Sequence, residues 1–120
     1  MIDAEADPTC NRMNITSDQE LTDQGLKSLN EKIRLESAHL QSGWVAAVDL
    51  RRMWVNDPFL NERLQGLQRT LLDCGAGKIG TLLDSDAIRM RLGQAGLKTR
   101  SNQITQRFYD AEEWEDFLAR

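Results

Sequence analysis

The sequence predicts a mainly α protein, a small bundle of about five helices formed by residues 17–120. Three observations predict it. Leu60, Leu64, Leu67 and Leu71 recur at i, i+4, i+7 and i+11, the stripe of an amphipathic helix. Helix-start signals stand at Ser17 with Glu20, at Ser85 (or Asp84), and at Asp110 with Glu113. Strict apolar alternation, the mark of a half-buried strand, breaks down at the Ala46–Ala47 pair.

Residues 1–16 are acidic, weakly patterned and interrupted by Pro8, and are read as a flexible lead-in. A first helix, 17–41, starts at the Ser17–Glu20 capping box and carries Leu26, Leu29, Ile33 and Leu40 on one face. Glu36 interrupts that stripe where a coiled-coil seam wants an apolar side chain. The stripe serves either packing within the domain or a partner contact through Leu26, Leu29 and Ile33, including a homodimer. Gly43 stops the helix.

Trp44–Val55 is rich in apolar residues and is read as a buried helix, with Ala46, Leu50 and Met53 on one face and both Trp44 and Trp54 in the core. A short strand at 44–48 is the alternative. Asn56-Asp57-Pro58 breaks the chain, and Pro58 suits a first helical position because its missing N–H would be unpaired there. The leucine-striped helix comes next and closes at Gly75. Cys74–Thr81 has the look of a phosphate loop, but a Walker A motif needs Gly where Leu72 stands and Ser or Thr where Ile79 stands. That segment is read as an inter-helix loop. A helix through Ile88, Arg91, Leu92 and Ala95 ends at Gly96. A last short helix carries Trp114, Phe117 and Leu118.

The charge pattern supplies the functional hint. Ala87–Tyr109 contains five basic residues (Arg89, Arg91, Lys98, Arg100, Arg107) and no acid, and the next stretch holds Asp110, Glu112, Glu113, Glu115 and Asp116. Residues 85–108 resemble the helix-turn-helix segment of transcriptional regulators. That resemblance implies a first helix from Asp86 to Ala95, a turn at Gly96, Leu97 tucked between the helices, and a second helix in the DNA major groove. Asn102, Gln103 and Gln106 would pair with adenine and Arg100 and Arg107 with guanine, while Arg89, Arg91 and Lys98 would meet phosphates. The segment departs from the commoner motif at Arg91, where Gly is usual, and in a lengthened turn at Gln94-Ala95-Gly96. A winged-helix variant would instead fold 97–100 and 103–109 into a β-hairpin.

The net charge of −4 lacks the whole-chain basic excess of most nucleic-acid binders. It supports a second reading: an acidic helical adaptor, inhibitor or assembly protein that docks Trp114 and Phe117 into another protein. The basic segment could equally pair with the acidic tail of the same molecule. The lone His39 and the widely separated Cys10 and Cys74 offer no metal-ligand spacing and no nucleophile–base signature, so neither a cofactor nor an enzyme is expected. No apolar run reaches membrane-spanning length, no signal peptide is evident, and two unpaired cysteines point to a reducing, cytoplasmic setting.

Overall fold

A computed structural model describes residues 3–17, 20–54 and 58–120. The chain is α/β, not a helical bundle. It runs β1 (Asp3–Asp7), β2 (Arg12–Thr16), α1 (Asp23–Ser37), β3 (Trp44–Asp49), α2 (Leu60–Asp73), β4 (Ala76–Leu82), α3 (Asp86–Thr99), a 3-10 turn (Ser101–Gln103), β5 (Thr105–Phe108) and α4 (Ala111–Ala119). The five strands form one sheet in the order β1-β2-β3-β4-β5. β1 and β2 are antiparallel, and every later pairing is parallel.

Because each crossover steps to the next strand in the same direction, α1, α2 and α3 share one face of the sheet. Their Leu29, Ile33, Leu64, Leu71, Ile88 and Leu92 join Met13, Ile15, Trp44, Val48 and Ile79 in the main core. Among the described residues the second face is covered by α4, where Phe117 and Leu118 meet Ala47, with Val45, Phe108 and Trp114 packed around them. Trp114 Nε1–H donates to the Gly80 carbonyl at 2.8 Å, and the Phe108 and Phe117 ring centres lie 5.2 Å apart.

The strands explain why the bundle reading fails. Segment 3–16 forms the β1–β2 hairpin, with Met13 and Ile15 turned inward and the acids of β1 outside. The expected helix over 44–55 is overturned: Trp44–Asp49 is a strand buried on both faces, so its apolar residues run on without alternating. Trp44, Ala46 and Val48 face the three helices, and Ala47 faces α4. The expected loop over 76–81 is β4. Its glycines allow close approach: a Cβ on Gly77 would lie 2.8 Å from the Gly43 Cα, and one on Gly80 would lie 2.9 Å from Leu118.

The helix-turn-helix geometry is also corrected. α3 runs through Gly96 to Thr99, and Arg100 then takes a left-handed conformation (φ 65°). The chain continues into the 3-10 turn and a strand paired parallel to β4, neither a second helix nor a hairpin. Leu97 is exposed instead of tucked inward. The expected start of the first helix moves to Asp23, where the Thr22 hydroxyl accepts from Gly25 N–H at 2.9 Å. Asn56 and Asp57 lie outside the described residues. α2 starts at Leu60, after Pro58 and Phe59.

Candidate interaction surface

Parallel strands β2 to β5 all end at the same edge of the molecule, and the segments that leave them gather there. Leu50 and Met53, almost fully buried, anchor the segment after β3. Beyond that anchor, Trp54 is 57% exposed and Phe59 is 56% exposed. These two aromatics are five positions apart in sequence. A cleft of about 300 Å³ is lined by Thr16, Ser17, Asp49, Arg51, Arg52 and Asp84. A second cleft, of about 340 Å³, is lined by Asp23, Leu26, Phe59, Glu62 and Arg63.

In each cleft one arginine is paired with a carboxylate. Arg51 forks onto Asp49, with Nη2 to Oδ2 at 2.8 Å and Nε to Oδ1 at 3.1 Å, while its backbone N–H also donates to Oδ1 at 3.1 Å. Burial pushes the Asp49 carboxyl up, but these hydrogen bonds and the Arg51 charge outweigh it and hold the group below its ordinary range. In the second cleft, Arg63 Nε donates to Asp23 at 3.0 Å and its guanidinium lies 5.8 Å from the centre of the Phe59 ring. After β5, Tyr109 is exposed and donates its hydroxyl to Asp86, which raises the Tyr109 pKa. Arg89 lies over the same ring at 5.8 Å. The edge therefore displays three exposed aromatics among arginines, the residue types that carry most interface energy.

The residues expected to read DNA are not brought to one face. Arg89 stands beside Tyr109, whereas Lys98 and Arg100 are nine and eleven residues further along, about 14 Å or more up the α3 axis. Arg91 donates to Asn61 of α2 at 3.3 Å. Asn102 and Arg107 are turned inward: Asn102 Nδ2–H donates to the Gly93 carbonyl at 3.1 Å, and Arg107 Nη2–H to the Leu92 carbonyl at 3.4 Å and to Asn102 Oδ1. Gln103 and Gln106 are exposed, on a turn and a strand.

The residues expected to bind a partner are spent within the domain. Leu29 and Ile33 are buried in the main core, and Leu26 packs against it. Trp114 and Phe117 fasten α4 to the sheet. Trp54, expected in the core, stands in solvent, and Phe59 carries no local mark of a site. The available signal is their placement, one large aromatic on either side of an Asn-Asp-Pro break.

Among the described residues, no group of three or more His, Cys, Asp or Glu is placed to hold a metal ion. No described helix is long and apolar enough to cross a membrane. Comparison with protein-family models, with curated proteins and with solved structures finds no match to this chain.

Proposed function

We propose that this chain is a protein-binding module that engages its partner through the carboxyl edge of its sheet. Trp54 and Phe59 serve as anchors, and Arg51, Arg52, Arg63 and Arg89 form the polar rim. The observation that carries this reading is the exposure of both aromatics, Trp54 next to the buried Met53 and Phe59 at the start of α2. A large apolar side chain left in water beside a cleft is stabilised when a partner covers it, and aromatic anchors ringed by polar groups are the usual energetic centre of an interface. Nothing comparable favours duplex DNA, whose proposed contacts are divided between the two ends of α3 and the interior. We place the protein in a reducing, cytoplasmic setting, where Cys10 and Cys74 remain free thiols.

The test compares three baits in an extract of the source cells: the wild-type chain, Trp54→Ser with Phe59→Ser, and Leu97→Ser as an exposed apolar control remote from the edge. A partner retained by wild type and by Leu97→Ser, but lost from the double variant, supports the reading. A partner set that the double variant retains unchanged overturns it.

A further inference from the structure

The sheet has two edges, and the molecule treats them differently. At the β1 edge, the Glu36 carboxylate takes the outward N–H of Ala6 at 3.0 Å, and Lys32 pairs with Asp3. At the β5 edge no such cover exists among the described residues. β5 meets β4 through Ile79 N–H to Ile104 O at 2.9 Å and Leu83 N–H to Phe108 O at 2.8 Å. That alternation turns Gln106 toward β4 and leaves the N–H and carbonyl of Thr105 and Arg107 facing outward. An uncovered row of this kind is a template for another strand.

Arg107 and Arg89 place positive charge beside this edge, and the charge on Arg107 is the less balanced of the two. Arg107 is half-buried, and no carboxylate among the described residues forms an ion pair with it. Its Nη2 is engaged by the Leu92 carbonyl and Asn102, while its buried Nε has no partner. Burial, and after it the nearby Arg89, both lower its pKa, as expected of a guanidinium lacking an anion. Arg89 is held over Tyr109 close by.

We propose that the β5 edge is a strand-addition site for an extended acidic segment of a partner protein. The segment pairs its backbone with Thr105 and Arg107 and sets a Glu or Asp side chain beside Arg107 and Arg89. Charge selects this occupant over a second copy of the chain. Two β5 edges joined about a two-fold axis would gather Arg107 and Arg89 of both copies along one seam, and like charges brought together across paired strands repel. Backbone pairing supplies affinity in such complexes, and alternate side chains supply specificity. The site shares Arg89 with the rim of the carboxyl edge but uses neither Trp54 nor Phe59, so the Trp54→Ser, Phe59→Ser variant and the β5 amide shifts test the two assignments apart.

The experiment titrates the full ¹⁵N-labelled chain with three short peptides: one alternating Thr and Glu, one alternating Thr and Lys, and the Thr–Glu peptide N-methylated along one edge. The acidic peptide is expected to shift the amides of Thr105–Phe108 and Arg89. The basic and N-methylated peptides are expected to bind at least about tenfold more weakly. Arg107→Gln should weaken the acidic peptide by a similar factor. Because that residue also contacts Leu92 and Asn102, the exposed Arg89→Gln provides a second readout that leaves the fold intact, with an expected loss of about threefold or more. Absence of shifts in β5 up to about 1 mM acidic peptide overturns the proposal. So does equal binding of the N-methylated peptide, or of the acidic peptide to both variants.

Discussion

Glu36 accepts a hydrogen bond from the backbone N–H of Ala6 at 3.0 Å, joining α1 to the outer side of β1 across 30 positions of sequence. The carboxylate is the odd residue in an otherwise apolar helical stripe. Its place in the fold is to occupy a donor that would otherwise invite a foreign strand. Glu36→Ala is expected to cost about 1 kcal/mol in urea unfolding. It should also increase self-association in size-exclusion chromatography as concentration rises. Glu36→Leu, which would improve a coiled-coil seam, should show the same loss and no gain.

Two tryptophans ten residues apart have opposite standing. Trp44 is 1% exposed, lies against the main core and donates Nε1–H to the Cys74 carbonyl at 3.0 Å. Trp54 projects into solvent. Trp44→Ala is expected to destabilise by about 3–5 kcal/mol. Trp54→Ala should stay within about 0.5 kcal/mol of wild type. Denaturant unfolding monitored by far-UV circular dichroism separates the two, and equal losses would contradict the difference in burial.

At Gly80 the α4 helix lies so close that a methyl group would meet Leu118 at 2.9 Å and Phe117 at 3.0 Å. Gly80→Ala is expected to cost about 1–3 kcal/mol through overpacking. The loss should be local. Hydrogen exchange of the α4 amides should rise well before that of α2, because α4 is held by a small core of its own.

Acid should weaken the carboxyl edge through Asp49. Its folded pKa lies below the ordinary value of 3.8: burial is the largest single influence and raises it, but the Arg51 hydrogen bonds together with the Arg51 and Arg52 charges outweigh it. A depressed carboxylate contributes fully above its unfolded pKa, and the contribution is lost as pH falls through the lower folded value. Arg51→Ala removes the cause of the depression. The stability difference between wild type and Arg51→Ala should therefore be present at about pH 6 and shrink toward about pH 3. A difference independent of pH would show that Arg51 acts by packing.

The helices with local signals are the legible part of this fold. The leucine stripe of α2, the Ser85 cap of α3 and the Asp110 cap of α4 are all where their side chains point. The strands are hidden for particular reasons. β1 alternates, but between acids and Ala4 or Ala6, which carry little strand preference. Met13 and Ile15 of β2 do alternate, but over too short a run to stand out inside an acidic stretch. β3 is covered on both faces, which erases its period and leaves a strand at 44–48 only as the alternative to a helix. β4 spends Gly77 and Gly80 on close contacts made far away in sequence, so its glycines look like a loop. The basic run from Arg89 to Arg107 looks like one surface only if neighbours in sequence share a helix pair. The turn at Arg100 sends them apart. Exposure at Trp54 and Phe59 depends on where the ends of three strands converge, which no local pattern encodes.

The order of the strands also bears on how the chain is built. Each strand after the first lies beside the one made immediately before it. A ribosome therefore delivers the strands in their order across the sheet, and none leaves a gap for a later strand to fill. Local pairing of this kind shortens the search for native contacts and limits the time that unfinished edges stay open. The second face obeys the same logic. Where α4 will sit, the central strands present Ala47 and Gly80, and much of the greasy bulk arrives with Phe117 and Leu118. Until that helix emerges, the nascent sheet shows Val45 and Phe108 on that side, with Ala47 and Gly80 adding little between them.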